Sequence, residues 1–168
     1  ALFTASQKGH LEVVRLLLSK SDIDINKTMN DGRTALYTAS QNNCVEVVEL
    51  LLSKSDIDIN KARDTGFTAL LIASYKGHVE IVQTLLTRDD IDVNKPHNDG
   101  RTPLWMASQN GHVQIVQTLL TRDDIDVNKP RTTDGCTPLL MAAQQGHVQI
   151  VQTLLTRDNI DVNKPTND

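Results

Sequence analysis

The sequence predicts an all-α repeat solenoid: helix-turn-helix units stacked side by side and joined by β-turn or hairpin loops. Two observations carry this. The chain copies itself: Val79–Pro96 (VEIVQTLLTRDDIDVNKP) and Val113–Pro130 (VQIVQTLLTRDDIDVNKP) differ at one position, and Val148–Pro165 repeats the run with Asn159 where Asp124 stands. Helix starts, helix breaks and turns also recur in register with the copies, and a fixed period of this kind marks a stacked array.

The offset is 34 residues between the first two of these copies and 35 between the last two. The extra residue falls within Arg131–Thr133, a turn, where insertion costs little. Leu11–Lys27 and Val45–Lys61 are earlier copies that share LLLSKSDIDINK. Units therefore run approximately over residues 1–27, 28–61, 62–95, 96–129 and 130–164, and the last residues begin another. Ala1 aligns with Ala35 and Asp168 with Asp99, so both ends cut a unit, and neither carries the polar capping unit that closes a stack. A segment of a longer array is expected, with degenerate caps as the alternative.

The unit from Asp99 to Pro130 shows each element in order. Thr102-Pro103 is a helix start: the hydroxyl caps free N–H groups, and proline suits the first helical position. Thr137-Pro138 repeats it, while Ala35 and Ala69 replace the proline with a good helix former. Leu104, Ala107 and Ser108 share one face, and small residues there let a neighbouring helix come close. Gly111 ends the helix in a left-handed conformation, and Asn43 stands in for it in the second unit. The second helix carries a stripe of His112, Ile115, Val116, Leu119 and Leu120, with Gln114, Gln117 and Thr118 facing away. Arg122 follows, with Lys20, Lys54, Arg88 and Arg157 as its equivalents; positive charge there complements the helix dipole. The tail Asp-Ile-Asp-Val-Asn-Lys alternates polar and apolar residues, which predicts a short extended segment before the next turn. No unit can bury both helices alone, so the units share a continuous core in an elongated, curved slab.

Composition limits the function. At 168 residues the chain reads as one domain. A net charge of −4, with both signs interspersed, argues against nucleic acid and against a membrane surface. No segment approaches the ~20 apolar residues of a membrane span, and no signal-peptide pattern is present. Cys44 and Cys136 lie in units too far apart for a disulfide, which fits a reducing, cytoplasmic setting. No phosphate loop, C-x-x-C pair or isolated nucleophile–histidine pairing appears, so neither an enzyme nor a cofactor is expected. His10, His78, His112 and His147 recur about 10 Å apart, too far to converge on one metal ion, and bonding to nearby backbone is the better reading. Asp90-Ile-Asp-Val-Asn matches the opening of a calcium loop, but Lys95 and Arg101 occupy the positions that need Gly and Glu, so no calcium site is expected.

The pattern DG-x-T-P-L-x-x-A-x-x-x-G-H-x-x-I/V-V-x-x-L-L with a D-V-N tail, fullest in Asp99–Asn128, resembles the ankyrin repeat over essentially the whole chain. It departs in two places. The family's histidine after T-P-L is replaced by Phe3, Tyr37, Leu71, Trp105 and Leu140, and the tail is one residue longer than usual. The resemblance implies a protein–protein interaction module that binds through turn tips and the concave face of the first helices. Carried over, the tip positions are Asn30, Asp31 and Arg33; Asp64, Thr65 and Phe67; Asn98, Asp99 and Arg101; and Thr133, Asp134 and Cys136. The groove positions are Gln41 and Asn42, Tyr75 and Lys76, Gln109 and Asn110, and Gln144 and Gln145, with Thr38, Ile72, Met106 and Met141 on the same face.

Among these, Phe67 and Tyr75 are aromatic residues at outward positions beside charge, as interface anchors are. Trp105 and Tyr37 occupy the missing-histidine position, where packing between units is favoured, with an exposed edge left for contact. Met106 and Met141 offer an adaptable apolar surface or act as filler. Arg33 and Arg101 can pair with a partner carboxylate or stay solvated. The expected binding set is these residues with Gln41, Asn42, Lys76, Gln109, Asn110, Cys136 and Gln144. Partners are expected to be proteins, and the chain a monomer. The alternative is a structural spacer within a larger protein, with no single specific groove; near-identity of the copies favours it.

Overall fold

The computed structural model describes residues 1–167. The alignment of Asp168 with Asp99 lies outside the described residues. Among these residues there are ten helices and no strand. They form five antiparallel pairs: α1 (Leu2–Gln7) with α2 (Leu11–Leu18), α3 (Ala35–Gln41) with α4 (Val45–Leu52), α5 (Ala69–Lys76) with α6 (Val79–Leu86), α7 (Pro103–Gln109) with α8 (Val113–Leu119), and α9 (Pro138–Gln144) with α10 (Val148–Leu154). First helices pack on first helices along one row, and second helices on second helices along the other. The β-turn tips project from the first-helix side.

The local signals produce these elements. Thr34, Thr68, Thr102 and Thr137 cap α3, α5, α7 and α9, each hydroxyl accepting the backbone N–H three residues on. Asn43 has φ +58°, the one positive value outside glycine among the described residues, and so it ends α3 as glycine ends the other first helices. Between the rows lies one core of aliphatic side chains, including Leu36, Leu51, Leu70, Leu85, Leu104 and Leu119. Layers depend on neighbours: Leu120 is 8% exposed, whereas its counterpart Leu155 in the last pair is 49% exposed.

The tails differ from the expected extended segments. Ile91 and Val93 are both buried with Asp92 exposed between them, as the alternation requires. The backbone, however, folds into turns, because the Asp92 carboxylate accepts the Asn94 N–H and pulls the chain round. Asp24, Asp58, Asp126 and Asp161 do the same two residues ahead. The tail asparagines of the first four units then bridge to the next unit. Asn94 donates to the Asp124 carbonyl at 2.6 Å and accepts the Asp126 N–H at 2.8 Å. Asn26, Asn60 and Asn128 repeat this pair of bonds, making a ladder along the second-helix side.

Histidine and arginine also join units. The Nε2 atoms of His78, His112 and His147 lie 3.1–3.2 Å from the carbonyls of Gln41, Tyr75 and Gln109 at the end of the preceding first helix. Space for the ring comes from glycine: a Cβ on Gly111 would stand 2.9 Å from the His147 ring. Arg88 donates to the Leu52 carbonyl and Arg157 to the Leu120 carbonyl, so these cations cap the second helix of the unit before them. Their guanidinium groups serve a neighbour's helix end rather than only their own.

Candidate functional site

The face made by the tips and the first helices is where the copies differ most. Each tip is a β-turn closed by one pair of backbone bonds. In the fourth unit Gly100 N–H meets the His97 carbonyl and His97 N–H meets the Arg101 carbonyl. In the fifth, Gly135 N–H meets the Arg131 carbonyl and Arg131 N–H meets the Cys136 carbonyl, so the inserted residue widens the turn without disturbing the stack. Successive tips are bonded edge to edge: Asp64 N–H to the Asp31 carbonyl, Asn98 N–H to that of Thr65, and Thr132 N–H to that of Asp99.

Cations and rings alternate along this row. Arg33 lies 5.2 Å over Phe3, Arg63 5.8 Å over Tyr37, and Arg101 and Arg131 at 5.7 and 5.0 Å enclose Trp105. Phe67 meets His97 edge-on at 4.8 Å and Tyr75 at 6.3 Å, and Lys76 lies 5.9 Å over Tyr75. Tip aspartates hold the arginines. Asp31 takes Arg33 Nε at 2.6 Å, Asp99 takes Arg101 Nε and His97 Nδ1, and Asp134 takes Arg131. Burial pushes the Asp99 carboxyl up, but hydrogen bonds from Arg101 and His97 outweigh it and hold it at about 2. Arg131 alone does most to hold Asp134 at about 2.

The structure divides the expected binding residues. Asn42, Tyr75, Lys76, Asn110 and Gln144 are exposed; Arg33, Gln41, Phe67, Arg101 and Gln109 are half-buried. Tyr37, Trp105, Met106, Cys136 and Met141 are buried, which corrects their placement on the accessible surface. For four of them the reason is a second, smaller cluster under the tips, formed by Leu71, Trp105, Met106, Cys136 and Met141 with Phe67 and Leu140 against it, whereas the Tyr37 ring lies under the Arg63 guanidinium. Trp105 is fixed there because its Nε1 donates to the Cys136 carbonyl at 2.9 Å. Cys136 follows the wider fifth turn and points inward, where burial first, and Asp134 second, push its thiol up. Burial and Glu46 do the same to Cys44, so neither thiol is activated as a nucleophile.

Two features of this face have little signal in a single unit. Arg63 reaches across to Tyr37 and Asp31 of the preceding unit, and His97 to Phe67. Their positions before the turn carry no fixed residue type, since Met29, Arg63, His97 and Arg131 occupy them in successive tips.

The family model described as ankyrin repeats (three copies) matches residues 1–63 and 70–166. Comparison with curated proteins gives no match. No helix among the described residues is long and apolar enough to cross a membrane. Stacked helix pairs, tip turns and the family match agree: the chain belongs to the ankyrin-repeat family, whose repeats are generally protein–protein interaction modules.

Proposed function

We propose that this chain is a non-catalytic protein-binding module, monomeric and cytoplasmic, that presents its tip-and-first-helix face to partner proteins. The observation that carries the reading is the partly exposed aromatic pair Phe67–Tyr75, set among Arg63, Lys76 and His97 on the face where the units differ. An aromatic beside cations, rimmed by polar amides, has the composition of an interface anchor. Arg33, Gln41, Asn42, Arg101, Gln109, Asn110 and Gln144 form the rest of the contact surface. Tyr37, Trp105, Met106, Cys136 and Met141 shape it from beneath.

The near-identical second helices favour a spacer role, because a specific interface needs residues that differ between units. Affinity capture with the immobilised chain separates the two readings. A binding module captures a partner saturably, and Phe67→Ala with Tyr75→Ala reduces that capture. A spacer captures nothing saturable, and the same substitutions change nothing.

A further inference from the structure

We infer that the two ends of the stack fit each other, so that a second copy of this chain docks its first pair, α1 and α2, on the last pair, α9 and α10, of the copy before it. This goes beyond the proposed binding face, which runs along the side of the stack and stays open in such a join. The monomer of that reading is the species at low concentration.

The rear end has sockets whose partners are missing. At two inner junctions a histidine ring fills the space over the glycine that follows a first helix. A Cβ on Gly77 would stand 2.6 Å from the His112 ring, and one on Gly111 would stand 2.9 Å from that of His147. Gly146 has the same place after α9, and a Cβ there would meet nothing within 4 Å. Asn163 is exposed, although Asn26, Asn60, Asn94 and Asn128 each clamp the next tail with two bonds. Apolar groups between these sockets are uncovered as well. Val162 is 58% exposed where its counterpart Val127 is buried, and with Leu139, Val151 and Leu155 it lines an open cleft.

The front end carries the missing partners. His10 precedes α2 as His147 precedes α10, yet it is exposed while His78, His112 and His147 are half-buried. Val13 is 47% exposed, whereas its counterparts Val47, Ile81, Ile115 and Ile150 are buried. Asp22 and Asp24 stand in the places of Asn159 and Asp161, whose carbonyl and N–H the Asn128 amide clamps. Lys20 stands in the place of Arg157, which donates to the Leu120 carbonyl.

Set on the rear as the fifth unit sits on the fourth, the front satisfies all of these at once. The His10 ring enters the space over Gly146, and its Nε2–H donates to the Gln144 carbonyl. Asn163 donates to the Asp22 carbonyl and accepts the Asp24 N–H. Lys20 donates to the Leu155 carbonyl, and Val13 and Val162 leave water. An unrelated apolar helix would cover Leu155 and Val162 but leave Gly146 and Asn163 unmet. The front of a second copy even supplies the histidine that the first inner junction lacks, since Cys44 faces Gly9 there. Front meets rear and never itself, so the join is heterologous and adds copies one after another rather than stopping at two.

Sedimentation velocity of the full chain over a range of concentrations tests this. The mean mass is expected to rise past the dimer as concentration rises. Leu155→Glu spoils the rear and Val13→Glu spoils the front, so each variant alone should stay monomeric. Both side chains are about half exposed in the monomer, so both variants fold. Mixed, the two variants should form one-to-one dimers and nothing larger, because only one intact rear and one intact front remain to each pair. His10→Ala in the otherwise unchanged chain should weaken association about fivefold, the worth of one hydrogen bond. A chain that stays monomeric at about 1 mM overturns the inference. So does a dimer that grows no further, a variant mixture that stays monomeric, or association indifferent to His10→Ala, which would be unspecific contact between apolar ends. Capture of a partner through Phe67 and Tyr75 does not involve these positions, so failure here leaves the proposed binding face standing.

Discussion

The two sides of the stack are built under opposite demands. On the second-helix side, Val79–Pro96 and Val113–Pro130 differ at one position, the Asn ladder and the aspartate turns recur from layer to layer, and Arg88 and Arg157 cap the helix before them. On the tip side, the residue after the turn glycine is Arg33, Phe67, Arg101 or Cys136, and the position after the Thr-Ala/Pro-Leu start is Tyr37, Leu71, Trp105 or Leu140. Repetition belongs to the side that must fit an identical neighbour in every layer. Variation belongs to the side where the fit is made locally, by rings and guanidinium groups chosen tip by tip.

The largest break in that comparison comes from the apolar layers. Trp105→Ala should cost about 3–5 kcal/mol, as truncation of a fully buried aromatic. Leu104→Ala, in the main core, should cost about 2–5 kcal/mol. Urea melts measure both. If Trp105→Ala cost less than about 1 kcal/mol, the cluster under the tips would be surface decoration rather than a second core.

The repeated side breaks at its ladder. Asn94→Ala removes two bonds to the next unit and leaves the Asp124 carbonyl and Asp126 N–H without that partner. The expected loss is about 1–3 kcal/mol. Hydrogen exchange should show the damage in the fourth unit as well as the third, because the bonds cross the junction. A loss confined to the third unit would mean that the ladder does not couple the layers.

Much of this was legible in one unit's residues. Thr102-Pro103, Gly111 and Asn43 mark helix ends by local chemistry, and the structure has them so. The histidines were readable as backbone partners because their spacing forbids a shared metal. The tail was half legible: alternation identified Ile91 and Val93 as buried, but the aspartate side chain decides the backbone path. Cys136 and Met106 were misplaced on the surface, because their burial depends on the next layer closing over them. The stacking of Arg63 on Tyr37 and of Arg131 on Trp105 crosses junctions between units, where periodicity within one unit carries no information.

Acid should destabilise the fold chiefly through the tips. The carboxyls of Asp99 and Asp134 stand at about 2 in the fold, against an ordinary value of 3.8. A carboxyl lowered by folding stabilises the fold while it is ionised. That contribution is therefore complete above about pH 4 and is lost as pH falls through about 2. Asp90 and Asp124 are lowered by Arg88 and Arg122, but they lie more in solvent, where salt screens the pairing. Denaturant midpoints should fall between about pH 4 and pH 2, and the double variant Asp99→Asn with Asp134→Asn should flatten that fall. An unchanged slope in the double variant would move the acid sensitivity to the other side of the stack.

The smallest effect tests why serine recurs between the two sides. Ser6, Ser40, Ser74 and Ser108 are fully buried, and their hydroxyls have no hydrogen-bond partner among the described residues. Ala143 takes the same position in the last pair, where it is exposed. A buried hydroxyl without a partner costs desolvation energy that a methyl group does not. Ser74→Ala should therefore be neutral or stabilise by up to about 1 kcal/mol. Ser74→Val should instead cost about 1–3 kcal/mol, because extra bulk would push α5 away from α3 and α7. If Ser74→Ala destabilised the chain by more than about 1 kcal/mol, the hydroxyl would be bonded in solution. The serine row would then be one more junction device, grouped with the asparagine ladder rather than with the variable tips.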